Sequence, residues 1–338
     1  MVSIKTIAAA CGVSIATVSK ALNDHSDVSE ATKQLVRETA KELGYLPNSQ
    51  ARALKTNKTF NLGVLFVDKA ESGLTHNYFA SVLDSFKVEA EKMGYDITFI
   101  SKNLDSFSMT YLEHCKYRNV DGVVIACVDF SQPDVLELIN SDFPIATIDF
   151  TGHEKISIVS DNINGMRELV EYIISKGHKK IAYIYGDLSE VTSNRLDSYK
   201  KALSDAGIEI REDYLVKGKF HDPVSTEEHT KKLLSLPDPP SCIIAPDDFS
   251  AIGTINAIES MGLSIPNDIS IAGYDGIFLS QVLKPKLTTV RQDTKTIGKE
   301  AASLLINLIK KQIKCPCPPK IVKGELLKGE TIKDLTKE

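Results

Sequence analysis

No stretch of the 338-residue chain approaches about eighteen consecutive apolar residues, so nothing in it reads as a membrane-spanning helix. No secretory leader is expected either. The opening MVSIKTIAAACG sets its lysine inside a helical pattern, without a basic n-region, a long apolar h-region or a small-residue cleavage site. The expectation is a cytoplasmic protein with no membrane partner. Cys11, Cys115, Cys127, Cys242, Cys315 and Cys317 are scattered rather than framed, as free thiols are in a reducing compartment. Cys315 and Cys317 flank a proline in CPCPP with no Cys/His cluster beside them, so that segment reads as a proline-stiffened loop. No cofactor and no metal are expected. Catalytic signatures are absent as well: there is no G-x-S-x-G elbow, no H-E-x-x-H, no G-x-x-x-x-G-K-S/T phosphate loop and no G-x-G-x-x-G fingerprint.

What is present is the composition of a globular protein, 42% hydrophobic and 25% charged, long enough for two or three folding units. The net charge of −5 is unevenly spread. Residues 1–60 hold eight Lys and Arg against five Asp and Glu, a net +3, which leaves −8 on the rest. A basic end on an acidic body points to phosphate contact at one end only.

In that basic end, Ser3 can cap a helix whose Ile4, Ile7, Ala8 and Cys11 form an i, i+3/i+4 apolar stripe. Gly12 breaks it, and Val13 plugs the turn. Ser14 can cap a second helix from Ile15 to about Leu22, with Val18 and Leu22 facing inward and Ile15, Ala16, Thr17, Ser19 and Lys20 facing out. A third helix begins at Ser29, runs through Ala31, Leu35, Val36, Ala40 and Leu43, and stops at Gly44. This is an all-α three-helix helix-turn-helix pattern, which periodicity alone does not separate from any small three-helix bundle. The outward face of the second helix favours DNA, because its small and β-branched groups suit base edges and thymine methyls.

The residues I-K-T-I-A-A-A-C-G-V-S-I-A-T-V-S-K-A-L-N, then V-S-E-A-T, E-L-G-Y-L-P-N and A-R-A-L-K, resemble the headpiece of the lactose-repressor (LacI/GalR) family. The resemblance implies that the second helix enters the major groove of double-stranded operator DNA. Ile15, Ala16 and Lys20 then read bases, with Ser14, Thr17, Ser19, Asn23, Tyr45 and Asn48 on phosphates or supporting the readers. Asp24 and Asp27 lie close to the expected course of the phosphates. The segment N-S-Q-A-R-A-L-K resembles the family's hinge helix, in which Ala51 permits close approach to the minor groove and Leu54 is the wedge between central base pairs.

The body alternates short apolar runs (62–67, 97–100, 122–126, 145–148, 156–159, 181–184, 242–245 and 269–272) with amphipathic stretches such as Phe79–Met93, Gly165–Lys176, Arg195–Ala206 and Ala251–Met261. That rhythm implies α/β architecture with parallel sheets, in two doubly wound lobes. The motifs V-D-G-V-V-I, S-D-N-I-N-G, S-N-R-L-D-S-Y, A-P-D-D-F-S-A-I-G and P-N-D-I-S-I-A-G-Y-D resemble the same family's periplasmic-binding-protein-like core. The expected organisation is a headpiece at 1–46, a hinge at 47–58 and a two-lobed effector-binding and dimerisation domain at 59–338. Its N-lobe spans about 59–160 and 291–320, its C-lobe about 161–290 and 321–338.

Ligands of such sheets sit beyond the carboxyl ends of strands. The resemblance places His76, Tyr78 and Phe79 there after the first strand, Asp149 after I-A-T-I, and Arg195 at the opening of a C-lobe helix. Asp247 follows C-I-I-A-P, Asp275 follows I-A-G-Y, and Gln292 lies on a crossing strand. Arginine donors, carboxylate acceptors and aromatic walls suit a small polyhydroxylated effector, a sugar above all, and the number of carboxylates argues against an acidic one. Asp248 is expected to cap the helix after it, Asp161 to form a turn or touch ligand, and His178 to be structural. The chain therefore reads as a homodimeric DNA-binding repressor under small-molecule control, not an enzyme. A transport sugar-binding protein, a glycosidase-like use of the cleft carboxylates and a regulator answering a protein partner are the rival readings.

Overall fold

Hydroxyl caps and apolar stripes decide the first helices. The computed structural model describes residues 2–46, 58–68, 72–104 and 107–337. The chain divides into two compact units, Met1–Thr59 and Phe60–Glu338. In the first, α1 (Ile4–Cys11), α2 (Ile15–Leu22) and α3 (Glu30–Glu42) each start at a serine that accepts a backbone N–H three residues on: Ser3 from Thr6, Ser14 from Thr17, and Ser29 from Thr32. Thr6 returns a bond to Ser3, closing a capping box. Gly12 ends α1 at φ +65°, a left-handed turn that a side chain would strain.

Ile7, Ala8, Val18, Ala21, Val28, Val36 and Ala40 form this unit's core. Two inward positions differ from expectation. Ala21 is buried while Leu22 is only half-buried, and Leu35 is 47% exposed. In α3 the inward stripe runs Lys33, Val36, Ala40, so Leu35 is turned off it by about 100°. The stem of Lys33 is buried, and its ammonium reaches Asp24 at 3.1 Å and Glu30 at 2.7 Å.

The second unit carries a six-stranded parallel sheet built from β1 (Asn61–Phe66), β2 (Asp96–Ile100), β5 (Gly122–Ala126), β6 (Ile145–Ile148), β7 (Ile156–Ser160) and β13 (Lys320–Val322). A small hairpin, β3 (Asn103–Leu104) and β4 (Phe107–Ser108), follows β2. The sheet order is β13-β7-β6-β5-β1-β2. A four-stranded parallel sheet is ordered β11-β10-β8-β9, from β8 (Ile181–Tyr185), β9 (Leu215–Lys217), β10 (Cys242–Ile244) and β11 (Ser270–Ala272). The antiparallel pair β12 (Thr289–Arg291) and β14 (Glu325–Leu327) accompanies the chain between the sheets. The long Val/Ile/Leu runs are buried on both faces, as parallel strands under helices must be. The chain leaves the first sheet after β7, returns after β12 and leaves again after β13.

Each sheet has apolar clusters on its two faces. Helices Asn77–Lys92 and Thr294–Ile309 pack on one face of the larger sheet, so closely that a Cβ on Gly298 would fall 2.2 Å from the Val82 carbonyl oxygen. Helices begin somewhat before the expected stretches because capping groups precede the apolar periodicity: Asp161 caps Asn162–Ser175 and Ser189 caps Glu190–Asp205. Strands β9, β12, β13 and β14 have only three residues each and carry no period that pattern reading detects.

Candidate functional site

In the first unit, Ser14 takes the Thr17 N–H at 3.0 Å and meets its hydroxyl at 2.8 Å, which fixes the start of α2. Ile15 is 49% exposed beside exposed Ala16, an uncharged surface for methyl contacts. Asn23 bonds back through its amide to the Ser19 carbonyl at 2.6 Å, and half-buried Tyr45 packs on the core. Lys20 closes an ion pair with Asp27, whose carboxyl that bond holds below its ordinary range. Asp24 is occupied by Lys33 and by Arg37 at 2.9 Å. The two acids expected close to the phosphates are thus paired with cations within the headpiece. Asn48, Ala51 and Leu54 lie outside the described residues.

In the second unit a cavity of about 860 Å³ opens where strands of both sheets end. His76, Tyr78, Phe79, Asp149, Arg195, Asp247, Asp275 and Gln292 all line it. Arg195 is 3% exposed, in the second turn of Glu190–Asp205 rather than at its start. Its guanidinium lies over the Tyr274 ring, 3.6 Å from the ring centroid, donates to the Asn162 side chain at 2.8 Å and stands 3.9 Å from Asp275. Asp275 also accepts from the Gln292 amide at 2.6 Å. Burial pushes its carboxyl up to about 7, against the pull of Arg195. Gln292 keeps its own buried carbonyl oxygen without a partner.

Asp149, at φ +57°, accepts from the Ser160 N–H at 2.9 Å and the Tyr78 hydroxyl at 3.0 Å. Burial raises its carboxyl above the ordinary range. Asp247 is held more completely, by the Ser250 N–H at 2.8 Å, the Ser250 hydroxyl and the His221 N–H. This corrects the assignment of the pair: Asp247 makes the local turn bond expected of Asp248. Asp248 is fully buried and reaches instead to the Ile277 N–H at 2.9 Å and the Thr289 hydroxyl at 2.6 Å, tying the loop after β11 to β12. Asp161 caps its helix through the Asn164 N–H, and His178 bonds Ser241 and the Lys333 carbonyl, a structural role.

Sequence reading missed several walls of the cavity. Phe220 and His221 follow the short β9, which has no readable period, and Phe130 stacks on Phe150 at 4.0 Å. His221 lies between His76, at 4.3 Å, and Phe249, at 4.0 Å. Tyr274 and Asn162 were within reach, since each lies in a quoted motif, G-Y-D and S-D-N-I-N-G.

A capped helix presenting small and apolar groups, joined in one chain to a polar cleft between two parallel sheets, defines a ligand-responsive DNA-binding regulator. Residues 3–48 match the model for bacterial regulatory proteins of the lacI family, and residues 170–332 match that for a periplasmic binding protein-like domain. The HTH-type transcriptional repressor PurR of Mannheimia succiniciproducens is 32% identical over 315 residues, covering 91% of this chain and 92% of the relative. The probable HTH-type transcriptional repressor ExuR of Bacillus subtilis is 32% identical over 313 residues, with coverage of 91% and 92%. Among solved structures, the lac repressor dimer bound to operator and the anti-inducer ONPF superposes with a TM-score of 0.81 at 26% identity, covering 98% of this chain and 99% of that one. A complex of the transcriptional regulator CelR with cellobiose gives 0.71 at 25% identity, covering 98% and 100%. The chain belongs to the lacI family of bacterial regulatory proteins.

Proposed function

We propose that this protein is a homodimeric repressor that binds a two-fold symmetric operator through α2 and the segment 47–58, and that a neutral polyhydroxylated ligand, a mono- or disaccharide, sets its operator affinity from the cleft. The observation that carries the ligand class is the charge of the lining. Arg195 and Lys219 are the only cations on the cavity wall among the described residues, against Asp149, Asp247, Asp275, Glu190 and further acids. Arg195 is already engaged with Asn162 and Asp275, so an added carboxylate on the ligand would meet an acidic wall. Hydroxyls, by contrast, can donate to Asp149 and Asp275 and to the free oxygen of Gln292, while Phe130, Phe150 and Phe220 offer faces to sugar rings. The mechanism is a coupling between two sites: ligand contacts on both sheets bias the pose of the two lobes and with it the spacing of the headpieces. No turnover is assigned to the cleft, whose carboxylates are explained by hydroxyl recognition, and the protein acts in the cytoplasm. Among the described residues no single helix is long and apolar enough to cross a membrane.

The test is selection of operators from a library of two-fold symmetric DNA sites at two salt concentrations, followed by a screen of neutral sugars, uronic acids and nucleobases on the selected site. One palindrome with steep salt dependence, and a shift in affinity with neutral sugars alone, is the expected result. A response confined to uronic acids or nucleobases overturns the ligand class. Failure to select any site overturns the DNA reading.

A further inference from the structure

The wall of the cleft formed by the larger sheet brings together three residues that sequence distance kept apart: Asp68 beyond β1, His76 at the start of Asn77–Lys92, and Cys127 just past β5. One ligating atom from each, a carboxylate oxygen, a ring nitrogen and a thiol sulfur, lies within 4.8 Å of the other two. From this cluster we infer a binding site for one divalent transition cation of the zinc class, with a coordination position left open to the cleft.

The donor set selects the metal. Calcium and magnesium take oxygen ligands, whereas a set of imidazole, thiolate and one carboxylate suits a borderline-soft ion. Asp68 and a Cys127 thiolate supply two negative charges against the two positive charges of the ion, and His76 binds neutral. The spacing is close to what such an ion needs. A tetrahedral zinc centre with bonds of about 2.0 Å to oxygen and about 2.3 Å to sulfur holds those two atoms roughly 3.5 Å apart. Here the Cys127 sulfur is 4.0 Å from Asp68 Oδ1. Small side-chain rotations close the difference.

A second observation is independent of the spacing. His76 is only 8% exposed, yet its Nδ1 finds no hydrogen-bond partner, an expensive state for a buried imidazole nitrogen that a ligand would relieve. The ligands are also oriented from behind. Asp68 Oδ2 accepts both the Ser72 N–H, at 2.8 Å, and the Ser72 hydroxyl, and so turns Oδ1 toward Cys127. The His76 ring is fixed by stacking on His221 and by an edge contact with Phe79 at 5.0 Å. Such outer contacts hold metal ligands in place. Three protein ligands leave the fourth tetrahedral position to water or to oxygens of the cleft's own ligand.

The experiment titrates the full-length reduced protein with Co²⁺ and records the thiolate-to-cobalt charge-transfer band and the visible bands of tetrahedral cobalt. Zn²⁺ is then added in competition. One equivalent of saturable signal, displaced by Zn²⁺, is expected. Cys127→Ser is expected to abolish the charge-transfer band, and His76→Gln to weaken cobalt binding by at least about 100-fold, more than loss of an outer partner costs. A Cys315→Ser/Cys317→Ser double variant is expected to keep the signal. Far-ultraviolet circular dichroism establishes that each variant is folded. A wild-type protein without the band overturns the inference. So does a band that survives Cys127→Ser in a folded protein, or one that disappears with Cys315 and Cys317.

Discussion

Asp248 offers the sharpest test of how the cleft is built, because its carboxyl is fully buried and joins two segments. Its two oxygens take the Thr289 hydroxyl and the Ile277 N–H, and a Cβ placed on Gly273 would come 2.2 Å from Asp248 Oδ1, so the space is shaped for this side chain. Burial pushes the carboxyl well above its ordinary range, with Asp275 adding to the effect. Folding therefore favours the protonated, neutral form of Asp248 above the ordinary carboxylate range. Asp248→Ala leaves the buried Thr289 hydroxyl and the part-buried Ile277 N–H without their acceptor. At about 1–3 kcal/mol for each orphaned group, and less for the one nearer water, the cost is about 2–4 kcal/mol. Asp248→Asn keeps the shape and the neutrality, so it costs less than about 1 kcal/mol. The pH dependence has a definite sign. A native state that holds a proton which the unfolded chain releases loses stability as pH rises from the ordinary carboxylate range toward the folded pKa, at most by about 1.4 kcal/mol per unit. The asparagine variant lacks this slope, so its deficit relative to wild type shrinks as pH rises above the ordinary carboxylate range. Urea unfolding of the two variants and wild type, followed by circular dichroism at each pH, measures it. An asparagine variant as unstable as the alanine one at neutral pH, or a deficit that does not change with pH, refutes the reasoning.

Other expectations concern function directly. Asp27→Asn frees Lys20 from its partner and removes a negative charge beside the expected phosphates, so operator affinity rises several-fold at low salt and the gain shrinks as salt screens it; anisotropy titrations at two salt concentrations check this, and weaker binding would show that Asp27 positions Lys20 for readout. Arg195→Met keeps apolar contact with Tyr274 but removes the donors, so it weakens effector binding by about tenfold or more, one charge-assisted hydrogen bond being worth about 1.5–3 kcal/mol. Its operator affinity without effector stays at the wild-type level in the same assay. Effector hydroxyls donate more strongly to the carboxylate form of Asp275 than to its neutral form, so effector affinity falls as pH drops below about 7, by at most about tenfold per unit, and Asp275→Asn abolishes that dependence in calorimetric titrations.

Much of the architecture was legible in the chain because its signals are local. Ser3, Ser14 and Ser29 mark the helix starts by bonding a backbone N–H three residues away, and the strand runs of Val, Ile and Leu are bounded by turn residues. The family resemblance placed the cleft residues at strand ends, where such folds present side chains, and His76, Asp149, Arg195 and Asp275 meet there in the cavity. Leu22 meets the core only at its edge and Leu35 stands off it, because helical period gives a face but not which edge of it meets the neighbouring helix. The Asp247–Asp248 pair could not be resolved in sequence, since either aspartate can serve a helix start and only the approach of Thr289 and Ile277 separates them.

The sequence by itself determined the three helices of the first unit, the alternation of strand and helix and the positions where strands end, because capping, glycine turns and hydrophobic periods act over a few residues. Tertiary structure alone decided the rest. It closed Lys20 onto Asp27, laid Arg195 on Tyr274, and gathered Asp68 and His76, from the segment after β1, with Cys127, just past β5. Those outcomes depend on which strands are neighbours and how far each loop reaches, and parallel pairing joins strands through long connections that leave no mark on local pattern.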